Sequence, residues 1–325
     1  MPKVAFVVDP LETLNVKKDS SIAMMCAAQR RGWEIQSIRL KDLCWMDGSA
    51  SAFAQGVTIN SVFAETRDPD SLGEGEPWFQ VSTEEFSKLS SFEAMFMRKD
   101  PPFDMNYIYA TYMLNHAQRD GVLVVNDPQS LRDCNEKFYT TEFSELAPAM
   151  TVSQRAEVLR EFHSEHRDVV YKKLDGMGGT SIFRMRENDP NLNVVIETLT
   201  DNESSPIMAQ KFVPEIDQGD KRILIVDGEA IPYSLARIPM RGETRGNLAA
   251  GARGEVRALT ERERFIAEEL APVLVERGLL FVGIDVIGDY LTEINVTCPT
   301  CIREIDREHD LDIAGTLMDA ISNRL

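Results

Sequence analysis

The chain has 325 residues and a formal net charge of −18, enough length for two or three domains with cores of their own. The acidity is spread along the chain, which argues against nonspecific nucleic-acid binding and against an anionic membrane surface. The five cysteines, few and odd in number, fit a reducing cytosol rather than a disulfide framework; MPKVAFVVDP turns polar too soon for a signal peptide, and no apolar run reaches membrane-spanning length.

Val4–Val8 reads as a first strand stopped by Asp9-Pro10. Asp19-Ser20-Ser21 offers caps to a helix ending near Arg31 and Gly32, and Trp33–Leu40 reads as a second strand. This βαβ opening predicts a parallel sheet. Residues 41–91 carry Gly, Ser, Asp and Glu clusters and read as loops and weak strands. Phe92–Met97 is a strand that delivers Arg98-Lys99-Asp100 to its carboxyl end, where open α/β sheets bind ligands. A helix over Tyr107–Arg119 and a strand over Val122–Val125 follow. The α/β pattern closes at Asn126-Asp127-Pro128, where a domain boundary is expected.

Ser130 can cap a short helix, SLRDCNEKF, that carries Lys137. Asp168–Leu174 is a strand holding Lys172 and Lys173. Directly after it, Asp175-Gly176-Met177-Gly178-Gly179 turns into the apolar run Ile182-Phe183. Glycines in such a turn let backbone N–H groups close around phosphate oxygens, though a flexible hairpin looks the same. It is neither a Walker loop nor a dinucleotide GxGxxG. Pro206–Val213 is a strand whose end suits an adenine edge or plain core. Arg222 and Arg237 lie on strands of an acidic chain, where each calls for an anionic partner, internal or bound.

Ile238–Glu255 holds four glycines with Arg241, Arg245 and Arg253 and lacks apolar periodicity. It reads as a mobile loop, either a lid over a charged substrate or a plain surface loop. Leu259–Arg277 is an amphipathic helix capped by Thr260. Phe281–Ile287 and Leu291–Thr297 flank Gly288-Asp289-Tyr290 as a hairpin. A turn centred on Asp289 sets Asp285 opposite Glu293, with Asn295 on the same face. Those oxygen donors suit a hard cation such as Mg²⁺, or form the solvated face of an ordinary hairpin. His163 and His166 sit in a polar helical stretch and read as surface residues, and Cys298-Pro-Thr-Cys301 reads as incidental.

Several stretches together resemble the bacterial glutathione synthetases of the ATP-grasp superfamily, nearly end to end. They are Val16–Ser21, Met97–Asp104, Pro128–Lys137, Leu174–Gly179, Asp220–Gly228, Leu235–Gly251 and Leu291–Ile305. The resemblance implies an α/β chain of ATP-grasp fold: an N-terminal parallel-sheet domain over 1–125, a small α+β lid domain over 126–211 and a C-terminal α+β domain over 212–325. It implies ATP as co-substrate, with Lys137 and Lys172 on its phosphates and Gly176, Gly178 and Gly179 covering them. Gln210, Lys211, Phe212 and Val213 are then the adenine hinge, and Asp220 faces the ribose. Asp285, Glu293 and Asn295 are implied to hold Mg²⁺, with Mn²⁺ as an alternative. Arg222 and Arg237 are implied to face an acyl phosphate and the tetrahedral intermediate. Lys173 stands where that family more often shows Pro; neighbours on a strand point to opposite faces, so Lys172 is expected inward and Lys173 outward.

The implied reaction joins γ-glutamylcysteine to glycine in the cytoplasm, in a homo-oligomer, with Arg98–Asp104 near the peptide and Arg303 a candidate for the glycine carboxylate. Two rival readings are another ATP-grasp ligase with a different acid or amine, and a non-catalytic nucleotide-binding module. A sensor has no need of an acidic metal clamp.

Overall fold

The computed structural model describes residues 1–243, 245–248 and 251–325. In chain order the first part runs β1 (Lys3–Val7), α1 (Ser20–Arg30), β2 (Glu34–Ile38), β3 (Leu43–Met46), β4 (Ser49–Ile59), α2 (Ser61–Thr66), β5 (Phe79–Lys88), β6 (Ala94–Met97), α3 (Met105–Arg119) and β7 (Leu123–Val125). The centre holds α4 (Pro128–Asp133), β8 (Met150–Ser153), α5 (Ala156–His166), β9 (Val169–Lys173), β10 (Ile182–Met185), α6 (Leu192–Leu199) and β11 (Ile207–Lys211). The last part holds β12 (Asp220–Val226), β13 (Glu229–Ile238), β14 (Arg253–Ala258), α7 (Glu261–Glu276), β15 (Phe281–Ile287), β16 (Tyr290–Asn295), α8 (Ile302–His309) and α9 (Ile313–Ser322).

β1 lies between β2 and β6, parallel to both, and β7 extends the sheet parallel to β6. Its VAFV run is buried on both faces, as a central parallel strand requires. Asp19 caps α1 by accepting from the backbone of Ser21 and Ile22. Residues 41–91 hold longer strands than the expected mix of loops and weak strands. β4 is eleven residues long and pairs antiparallel with β2, β3 and β5, completing a seven-stranded sheet. The buried face of its first half is carried by Ala50, Ala52 and Ala54, with Val57 and Ile59 following only past a bulge. Alanines alternate there without the β-branched bulk that marks a strand in sequence.

The second sheet has the order β10-β9-β11-β8 and is antiparallel throughout, and the third runs β14-β13-β12-β15-β16. The hydrophobic cores do not follow the three sheets one for one. One core joins β1 and α1 to Leu224, Ile302 and Leu317, and another joins Val7 and Leu114 to Ile223, Ile284 and Leu291. The first and third sheets therefore share their interiors. The second sheet has its own small core around Leu159, Tyr171 and Ile196. Just after β7, the buried Asn126 amide donates to the carbonyls of Phe281 and Val296 at 2.7 Å each and accepts from the Phe281 N–H at 2.9 Å. That side chain ties the first sheet to both ends of the β15–β16 hairpin.

Candidate active site

The third sheet positions a buried charge cluster. Asp285 on β15 pairs across the ladder with Arg222 on β12, and Asp220 pairs with Arg237 on β13. Arg222 grips Asp285 with two hydrogen bonds, at 2.5 and 2.9 Å, and Arg237 reaches the same carboxylate at 2.9 Å and Asp220 at 2.6 Å. All are taken from water, so their mutual pairing is what makes their charge tolerable. Although burial opposes it, Arg222 and Arg237 hold the Asp285 carboxyl well below the usual carboxylate range. Asp220 has Arg237 as its main cation and Asp285 as a like-charged neighbour. Burial pushes its carboxyl up to about 6, and its Oδ1 is buried without a partner among the described residues.

The β15–β16 hairpin reaches the expected pairing by an unexpected route. Its turn is two residues, with Ile287 opposite Tyr290, and a β-bulge then restores Asp285 opposite Glu293. Thr292 is the extra residue, and its hydroxyl donates to the Asp285 carbonyl at 3.1 Å. The bulge re-aims Glu293, which an unbroken ladder would set one place off. Asn295, opposite Gly283, donates to Asp285 Oδ2 at 3.3 Å.

Two lysines converge on Glu293 from different elements. Lys137 Nζ lies 3.9 Å from it and Lys172 Nζ 3.8 Å. Both lysines are buried. Lys137 also donates to its neighbour Glu136 and to the Gly176 carbonyl. It is not on the expected helix: α4 is capped by Asp127, not Ser130, and ends before Cys134, since Asn135 takes over the turn by accepting from Lys137 and Phe138. Lys172 faces inward and Lys173 is partly exposed, the alternation expected of a strand. Burial lowers the Lys172 pKa, and burial together with Glu293 pushes Glu136 up to about 7.

A narrow cavity of about 80 Å³ opens between the second and third sheets, with Lys172, Gln210, Phe212, Val213, Asp220 and Glu293 among its walls and Lys211 at its edge. Gln210 is buried and its amide nitrogen has no partner among the described residues, a donor left for a ligand. Arg184 was not anticipated. It makes a two-pronged pair with Asp168 at 2.6 and 2.8 Å and lies 3.4 Å over the Phe212 ring. No motif marks it in sequence.

The glycine turn joins β9 to β10, with Gly178 and Gly179 at positive φ. It meets the arginine-rich loop directly. Arg245 donates to the Gly179 carbonyl at 3.4 Å, and a Cβ at Gly179 would come within 2.6 Å of Asn247 Oδ1. Arg245 also pairs with Glu243 at 2.6 Å, and Arg241 is exposed. The loop ends sooner than expected. Arg253 opens β14, pairs with Glu255 at 3.2 Å and is not brought to the cleft, because 253–258 adds a strand to β13. Thr244, Ala249 and Ala250 of that loop lie outside the described residues.

Beside the cluster, a cavity of about 360 Å³ separates Asp100–Asp104 from the glycine turn. Arg98 is buried, held by Ser21 Oγ at 3.2 Å and the Pro299 carbonyl at 2.8 Å. Arg303 is not brought to the cluster; it binds the Arg67 carbonyl. His163 is buried rather than on the surface, stacked on Tyr171 with Nε2 3.2 Å from the Arg186 carbonyl. Among the described residues no three His, Cys, Asp or Glu side chains form a metal cage. Glu293, beside the lysines, and Asn295, beside Asp285, are oxygen donors of the kind a hard cation takes. Asp285 already spends both oxygens on arginine.

The prokaryotic glutathione synthetase N-terminal domain model matches residues 2–132, and the corresponding ATP-grasp domain model matches 136–310. The glutathione synthetase of Vibrio cholerae is 56% identical over 100% of this chain and 98% of its own, and that of Pseudomonas aeruginosa is 54% identical over 99% and 98%. Among solved structures, the D-cycloserine synthetase DcsG superposes with a TM-score of 0.67 at 15% identity, covering 99% of each chain. The ATP-grasp ligase PsnB, solved with its minimal precursor, Mg and ADP, gives 0.62 at 16% identity, covering 99% of this chain and 97% of its own.

Proposed function

The chain belongs to the prokaryotic glutathione synthetase family, and we infer that it joins γ-glutamylcysteine to glycine with ATP, releasing glutathione, ADP and phosphate. It is an ATP-grasp ligase. The observation that carries the site assignment is the approach of Lys137 and Lys172 to Glu293, beside the buried Arg222–Asp285–Arg237 group.

In this reading Lys137 and Lys172 exchange Glu293 and Glu136 for the phosphates of ATP, and the backbone of Gly176, Gly178 and Gly179 covers them. Gln210 to Val213 receive the adenine, and Asp220 faces the ribose. Glu293 and Asn295 would hold Mg²⁺ or Mn²⁺, with Asp285 joining them when its arginines turn to substrate. When bound, the cation neutralises charge on the transferring phosphoryl group. The cavity between Asp100–Asp104 and the glycine turn takes the dipeptide, whose cysteinyl carboxylate receives the γ-phosphoryl. Glycine's amine then attacks the acyl phosphate. Arg222 and Arg237 steady the phosphate and the oxyanion, both already desolvated for that work.

The wall formed by Arg245, Gly246 and Asn247 withdraws to admit the nucleotide and returns to exclude water, which would hydrolyse the acyl phosphate. Arg241 and Arg245 act there; Arg253 supports the loop from β14. The enzyme works as a homo-oligomer in the cytoplasm, a placing that its five free cysteines support.

The test is phosphate release with ATP and Mg²⁺, adding γ-glutamylcysteine and glycine singly and together. Release that needs both, with glutathione appearing, is the expected result. Release with a different acid and amine but not with this pair would overturn the substrate assignment and leave the ligase mechanism standing.

A further inference from the structure

A third cavity, of about 510 Å³, lies between α8 and the segment following α2. It shares no lining residue with the nucleotide cavity or with the Arg222–Asp285–Arg237 group. Its most enclosed cation is Arg303, only 4% exposed. One arm of that guanidinium donates to the Arg67 carbonyl, and the plane lies 5.7 Å from the Phe63 ring centre. The other arm, Nη1, is buried and has no partner among the described residues. Burial, and then the like charges of Arg307 and Arg67, lower the Arg303 pKa, as expected of a cation short of counter-charge.

The remaining charges of the cavity sort into spent and unspent. Arg67 is taken by Asp306 at 3.1 Å and Asp312 at 3.3 Å, and Lys17 by Asp70 at 3.7 Å. Arg307, one helical turn beyond Arg303, makes a single 3.5 Å bond to the Lys17 carbonyl. Neither Arg303 nor Arg307 has a carboxylate within ion-pair distance among the described residues, and neither Asp68 nor Asp310 has a cation. Two guanidiniums and two carboxylates without an ion-pair partner among the described residues line one cavity, with Asp68 spending only Oδ1, on the Asp70 N–H at 3.0 Å. A buried donor with no partner is costly unless something fills its place.

We propose that this cavity is a second, non-catalytic site for a small zwitterion, an amino acid or short peptide whose carboxylate docks on Arg303 and Arg307 and whose ammonium faces Asp68 and Asp310. Paired guanidiniums suit a carboxylate because their N–H groups match its two oxygens. The acids on the other side reject a simple dianion. The occupant touches both the α2 segment and α8, so it adds contacts between the first and last parts of the chain.

The experiment is calorimetric titration of the full chain with glycine and, separately, with glutathione, compared with acetate, which lacks the ammonium. The expected result is a binding event beyond one equivalent per chain for one of the two zwitterions. Arg307→Ala should weaken that event by about tenfold or more and leave kcat and the KM values of all three substrates unchanged. Whether glycine or glutathione binds tells whether the source is the amine substrate or the product. Arg303→Gln, which keeps a donor for the Arg67 carbonyl, should abolish the event; if that variant does not fold, Arg307→Ala and Asp310→Asn decide alone. No second event, a second event untouched by Arg307→Ala, equal binding of acetate, or a KM that rises in step with the binding constant would each overturn the proposal.

Discussion

Arg222 and Asp285 face each other across two antiparallel strands and close a two-pronged ion pair, with exposures of 7% and 3% for their side chains. Arg237 completes the group from the next strand. Asp285→Asn would leave two buried guanidiniums facing an amide. Removing one member of a buried ion pair costs about 3–5 kcal/mol, so urea unfolding should show a loss of that order along with loss of ligase activity. A variant within about 1 kcal/mol of the parent would mean that water reaches the cluster and that the pairing is not what holds the strands' charges.

Lys172 and Lys173 separate a buried role from an exposed one on adjacent residues. Lys172→Met should weaken ATP binding by about 2 kcal/mol, roughly thirtyfold, whereas Lys173→Met should change it little. The ligand-free protein should not lose stability in Lys172→Met, because burial already works against that charge. Fluorescent-nucleotide titration and thermal melting read the two effects apart. Equal losses of affinity in both variants would remove the assignment of Lys172 to the phosphates.

Arg245 holds the arginine-rich loop against the glycine turn through the Gly179 carbonyl. Arg245→Ala should loosen that seal, so that phosphate released per glutathione formed rises above one while some turnover remains. Gly179→Ala should act in the same direction, since its φ of +81° and the nearby Asn247 leave no room for a methyl group. A ratio of unity with normal turnover in both variants would separate the loop contact from water exclusion.

Asp306 gives a pH test away from the cleft. Burial, opposed by a hydrogen bond from Ile313 and by the charge of Arg67, pushes its carboxyl up to about 6. The folded chain therefore holds this proton more tightly than the unfolded chain does. The group costs stability as the pH rises from about 4 through 6, and its effect is flat above about 7. Asp306→Asn cannot ionise, so its melting temperature relative to the parent should climb over that interval and then level off. A difference independent of pH would show that Asp306 titrates as an ordinary surface carboxylate.

What could be read from the residues alone follows from which forces leave a pattern. The β1 run, the hairpin around Gly288-Asp289 and the cap at Thr260 are local signals, and each stands where its residues indicated. The strand Ser49–Ile59 was not legible because its first half buries only Ala50, Ser51, Ala52 and Ala54, and β5 was not because it buries neither face, so nothing forces a pattern on it. Lys137 was misplaced onto a helix because the side chain that ends the turn, Asn135, works through a backbone contact that composition does not reveal. The Thr292 bulge is invisible in sequence, yet it sets Glu293 opposite Asp285. Arg184 over Phe212 is a meeting of residues 28 positions apart, and no spacing rule reports it. The buried His163 continues the covered face of Ala156, Leu159 and Phe162, but a histidine among Glu, Arg and Ser neighbours does not count as apolar in that pattern.

The shared interiors of the first and third sheets bear on how the chain is made. Val4 and Phe6 belong to a core completed only by Leu317 and Ile321, so a ribosome has released nearly the whole chain before the first strand can be fully covered. The central sheet has no such wait; all its strands and its core lie between Met150 and Lys211. During synthesis the middle of the molecule can close first, while the earliest residues stay sticky and within reach of chaperones until the last helix arrives. A nascent chain stalled once Lys211 has cleared the ribosome should therefore protect its centre from protease and leave its beginning open.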